Sequence, residues 1–164
     1  MTHAQEQASF EALLRHFADL RDGTHGTAGD RIGKEKLFAA AVDLLDPAVS
    51  QVLGEINQHL LLDSGHIAST GVQTGAGGVA AQWTLSWPEQ RDTDLRPLGI
   101  IAHYGRGFHH PHLRGVTVGE WPLNVFSARD ATDQIPTLRA IVAADLHNLV
   151  FERDYRIVPA TARG

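Results

Sequence analysis

The run GVAAQWTLSWP at residues 78–88 constrains this chain more than any other stretch. Val79, Ala81, Trp83, Leu85 and Trp87 share one parity, and Gln82, Thr84 and Ser86 share the other. Successive side chains of a strand point to opposite faces, so the alternation predicts a strand over 78–88 with two tryptophans on one face. A sheet that carries so much aromatic surface on one side must be covered, and helices are the usual cover.

Helical spacing appears on both sides of this strand. Phe10, Leu13, Leu14, Phe17 and Leu20 predict a helix over 4–21, stopped at Gly23, with His16 at the border of its apolar stripe. A second helix is predicted from residue 31, capped by Asp30 and buried through Leu37, Phe38, Ala41, Leu44 and Leu45. Asp46-Pro47 reads as a restart, since proline suits a first helical turn, and a third helix through Val49, Val52, Leu53, Ile56 and Leu60 is predicted to end near Gly65. Downstream, strands are predicted at 67–73, 98–104, 114–118 and 122–127, then a helix over 133–151 and a short strand at 155–158. Short links favour antiparallel pairing. The predicted class is α+β: N-terminal helices, a small and mostly antiparallel sheet, and a long C-terminal helix over it, in one domain spanning 1–164 with a helical subdomain at 1–65 as the alternative division.

Composition removes several functions. The 164 residues include no cysteine, which excludes disulfides, thiolate metal sites and a cysteine nucleophile. A formal charge of −5, with Arg and Lys scattered along the chain, disfavours nucleic acid as a partner. The first twenty residues lack a signal-peptide pattern, and no run approaches the roughly 18 consecutive apolar residues that span a bilayer. The expectation is a cytoplasmic soluble domain with no membrane partner. No G-x-S-x-G elbow, H-E-x-x-H helix or glycine-rich phosphate loop is present.

One segment is dense in chemistry. IIAHYGRGFHHPHLRG places His103, His109, His110 and His112 within ten residues. Pro111 favours an extended backbone at His110, so His110 and His112 are expected on one side, as a shared metal site requires. Neutral imidazole suits zinc or iron, and Glu120 is the nearest carboxylate to complete the set. Cupin-type barrels also follow a His-x-His pair with a glutamate, but Glu120 lies eight residues beyond His112 and the strands here are too few for that fold. The leading expectation is a small metal-dependent enzyme: His109, His110 and His112 as metal ligands, His103 and Glu120 as catalytic groups, and Arg106, Phe108, Arg114 and Trp121 around a small, anionic organic substrate. The alternative is a non-catalytic domain that binds a small molecule or a protein, with a structural histidine loop. Self-association into a homo-oligomer fits either reading. Asp145, on the apolar side of the last helix, needs a buried partner: a backbone amide, an arginine or a histidine. His25 reads as a loop histidine, and His147 points to solvent.

Overall fold

The computed structural model describes residues 3–162. Helices come first: α1 (His3–Asp22) and α2 (Arg31–His59) precede β1 (His66–Ser69), β2 (Gln73–Gly75) and β3 (Gly78–Ser86). A short α3 (Pro88–Arg91) leads to β4 (Leu98–Gly105), β5 (His112–Arg114) and β6 (Trp121–Pro122), and then come α4 (Ala128–Asp133), α5 (Ile135–Glu152), a 3-10 turn at Tyr155–Ile157 and α6 (Pro159–Ala162). The α+β class, the antiparallel sheet and the long C-terminal helix are as the sequence pattern predicts.

The sheet runs β1-β3-β4-β5-β6, with β2 also paired to β3. Every pairing is antiparallel. The β3–β4 ladder pairs eight residues, from Gly78↔Gly105 to Leu85↔Leu98. Its odd β3 positions and even β4 positions are buried beneath α2 and α5, including Trp83, Leu98, Ile100 and Tyr104, and Trp87, just past the end of β3, is buried as well. Both indole N–H groups find partners in that core: Trp83 donates to Asp46 at 2.8 Å and Trp87 to the Ile157 carbonyl at 2.6 Å.

Four local expectations are corrected. Residues 31–59 form one helix, with Pro47 inside it rather than at a new start. A proline there forfeits one helical hydrogen bond, but Phe38, Leu45, Val49, Val52 and Leu53 are all fully buried on the same helix, so continuing it seals the core. Asp46 serves the Trp83 indole instead of a cap. The predicted strand at 155–158 is a 3-10 turn, because Ile157 and Val158 are buried consecutively, a pattern no half-buried strand gives. The strand predicted at 114–118 begins earlier, at His112, and the one at 122–127 shrinks to Trp121–Pro122, after which Leu123, Asn124 and Val125 are buried in succession.

The fourth correction concerns α1. Its apolar stripe faces outward: Phe10 and Leu14 are each 66% exposed, whereas His16 and Asp19 are 7% exposed. The helix therefore turns polar groups into the molecule. Among the described residues, α2 is the one helix long and apolar enough to cross a bilayer, and its apolar side chains are built into the core described above.

Asp145 resolves as a backbone clamp. Wholly buried on α5, its carboxylate accepts from the amides of Val116, Thr117 and Val118 at 2.8–3.0 Å and from the Thr117 hydroxyl. This fixes the β5–β6 loop that leads from Arg114 to Glu120. Gly115 is required for the approach, since a Cβ there would collide with the carboxylate. Removing the charge leaves several buried N–H donors short of an acceptor. Asp145→Ala is expected to lower unfolding free energy by about 3 kcal/mol or more in urea titrations, and Asp145→Asn by less; wild-type stability in the alanine variant contradicts the clamp.

Candidate functional site

Period-two geometry decides where the histidines go. With Ala102 and Tyr104 in the core, His103 must project from the opposite face of β4, and its register partner on β5 is His112. The two rings stack with centroids 6.0 Å apart. His103 Nε2 lies 2.8 Å from Glu120 Oε2, so a neutral His103 donates from Nε2 and keeps its lone pair on Nδ1.

Two histidines from outside the segment extend this arrangement. His16, turned inward on α1, packs edge-on against both His110 and His112, at centroid distances of 5.3 and 6.3 Å. His25, from the loop after α1, stands 6.1 Å from His110 and 4.9 Å from Phe126. The result is a continuous row, His25–His110–His16–His112–His103, that ends on Glu120. It lies where α1 and the 24–28 loop meet the second face of the sheet.

Hydrogen bonding leaves much of this row unpaired. The Nε2 of His110 lies 2.6 Å from the Thr24 carbonyl, which only accepts, so Nε2 carries the proton. The Nδ1 atoms of His16, His110 and His112 and both ring nitrogens of His25 are buried and have no hydrogen-bond partner among the described residues. Burial favours the neutral form of His16, His25 and His112. It lowers the His16 pKa, with His110 and His112 adding to the effect and Asp19 opposing it, and it lowers that of His112 more than the His110 backbone and Glu120 raise it. For His25, burial outweighs Asp19 and brings the pKa down to about 4.

The segment that carries His109 to His112 is fastened from α2. Arg31 donates to the carbonyls of Tyr104, Gly105 and Phe108, and its guanidinium lies 3.5 Å from the centre of the Tyr104 ring. Lys34, itself buried, donates to the His109 carbonyl at 3.2 Å.

Among the predicted site residues, His103, His110, His112 and Glu120 belong to the row, and Phe108 packs within 5.5 Å of both His103 and His112. Arg114 shares the open sheet face with His103, and both border a shallow cavity of about 570 Å3 with Gln73, Thr74, Ala80 and Ile101. Three residues stand apart. His109 is exposed and contributes its carbonyl to Lys34, Arg106 is exposed, and Trp121 lines a different cavity between α1 and α4. His147 is exposed, as its helix position predicts. His16 and His25 are the functional candidates that sequence reasoning passed over. The available signal for His16 was its spacing from Asp19, one helical turn on, which puts two polar groups on one side of α1; nothing local marks His25.

Among the described residues, no three His, Asp or Glu side chains are placed to hold a metal ion as the rings stand. No protein family matches this chain, and no characterised protein or solved structure proves similar to it.

The row gives the fold a specific acid sensitivity. Unfolded, His25 takes up a proton near its ordinary value of 6.5; folded, it does so only near 4, so the unfolded state binds more protons in between. Stability is therefore expected to be full above pH 6.5 and to fall as pH drops toward 4, by up to about 3 kcal/mol from this group. Denaturant titrations of chelator-treated protein check this. A His25→Phe variant should show a shallower loss, and an unchanged pH profile contradicts the assignment.

Proposed function

We propose that this chain is a small metal-dependent enzyme acting on a small anionic organic substrate, with His16, His110 and His112 as the metal ligands. The observation that carries the reading is the set of three buried Nδ1 atoms, each with no hydrogen-bond partner. A buried polar atom without a partner calls for a water or an ion, and neutral imidazole nitrogen is a preferred donor to zinc and iron. The His110–Thr24 bond is the kind of outer contact that fixes the tautomer of a ligating histidine.

Two of the ring separations bear on this reading. Two imidazoles on one tetrahedral ion, with bonds of about 2.0–2.1 Å, have centroids roughly 5 Å apart. His16 stands 5.3 Å from His110 and 6.3 Å from His112, so holding an ion would require His112 to close on His16 by about an ångström. A bound ion with three histidine ligands keeps a position for water or substrate oxygen and supplies Lewis acidity there. Around it, His103 held by Glu120 is the proton-transfer pair, and Arg114 on the same face orients an anionic group.

A second reading is favoured by the absence, among the described residues, of three converged donors: metal-free proton transfer by the His103–Glu120 pair. Metal analysis separates the two. Untagged protein reconstituted with Zn2+ or Fe2+ and desalted should retain about one ion per chain, falling at least about tenfold in His16→Ala, His110→Ala and His112→Ala but not in His109→Ala. Negligible metal in the wild type, or equal content in all four variants, refutes the metal reading and leaves the second.

A further inference from the structure

A second, separate cavity lies between α1 and α4. It measures about 450 Å3, within the range of roughly 300–1,000 Å3 typical of small-molecule sites. Glu11 and Arg15 of α1 form one wall, Arg129, Asp130 and Asp133 of α4 another, and the indole of Trp121 also borders it. None of these groups belongs to the histidine row.

Its polar inventory is unusual in being mixed and incompletely paired. Two cationic side chains face three anionic ones, and the closest Arg15–Asp130 approach is a loose 3.8 Å. Asp130 is held in place by the Phe126 amide at 3.0 Å, and Arg15 by the Asn124 carbonyl at 3.2 Å, so each charge is positioned by backbone rather than by the other. Two further lining residues are more than nine-tenths buried, Asn124 and Gln134. Asn124 donates its amide N–H to the Ala12 carbonyl, which fixes its orientation and leaves Oδ1 without a partner; Gln134 Oε1 also has none among the described residues. Buried amide oxygens left unpaired are acceptors in want of a donor.

We infer that this cavity binds a small zwitterion carrying an ammonium and a carboxylate, the chemistry of a free amino acid. Arg15 and Arg129 receive the carboxylate, for which the guanidinium fork is suited. Asp133 and Glu11 receive the ammonium, whose N–H groups match carboxylate oxygens. A simple anion meets three carboxylates here and a simple cation meets two guanidiniums, so a ligand bearing both charges is selected over either alone. Trp121 offers the apolar surface for the remainder of the molecule.

The test is an 1H–15N NMR titration of the full chain with pools of proteinogenic L-amino acids, followed by acetate and methylammonium as the separated charges. At about 10 mM, above the millimolar constants of a weak site, at least one amino acid should shift the amides of Asn124, Asp130 and Gln134 while leaving those of His103 and His112 in place. Acetate and methylammonium should bind at least about tenfold more weakly. Arg129→Gln and Asp133→Asn, both at exposed positions that spare the core, should each weaken the response by about tenfold with the melting temperature unchanged. No shift with any amino acid, equal binding of the separated charges, or full binding in both variants shows instead that the lining charges serve one another, and overturns the site.

Discussion

The β3–β4 ladder is the constraint on which the rest depends. Eight residues pair in antiparallel register, and the strict alternation of side chains divides the sheet into two surfaces with different jobs. One face takes Trp83, Trp87, Ile100 and Tyr104 under α2 and α5 and supplies the hydrophobic drive for folding. The other receives His103, and through the β4–β5 pairing His112 and Arg114 as well. A one-residue slip in that register would bury the histidine and expose the aromatic core.

What happens on the second face runs against the ordinary logic of burial. There α1 shows its large apolar side chains to the outside and turns His16 inward onto His110, and Asp19 inward to accept from Thr24 and the Gly26 amide. Burying ring nitrogens without hydrogen-bond partners costs free energy. The surrounding structure holds them firmly: Arg31 and Lys34 tie the histidine segment to the start of α2, while Asp145 clamps the loop that brings Glu120 back to His103.

Much of this was legible in the sequence because it follows from periodicity. The alternation over 78–88, the apolar stripes of α2 and α5 and the short links between strands lead directly to an antiparallel sheet covered by helices. The density of histidine from His103 to His112 and the return of the chain at Glu120 were visible too, since they belong to one local excursion, but the contact of Glu120 with His103 was not. The inverted α1 was not. Its pattern of Phe10, Leu14, Phe17 and Leu20 has the form of a buried stripe, and only the tertiary partner decides which side of a helix is covered. The same limit hid His16 and His25, whose neighbours are nearly a hundred residues away. Pro47 misled for a related reason: local chemistry allowed a break, and packing on both sides of it favoured a continuous helix.

The central claim is that three imidazoles from α1 and the His110–His112 segment share one ion through Nδ1. Imidazole 15N spectra of the chain, recorded through a Zn2+ titration, address it directly because each ring nitrogen reports its own protonation and ligation. The account predicts that Nδ1 of His16, His110 and His112 shift together at about one equivalent of zinc, while His110 Nε2 keeps its proton to Thr24 and His103 keeps its bond to Glu120. Three Nδ1 resonances that stay unchanged through saturation, or a shift confined to exposed His109 and His147, would contradict it.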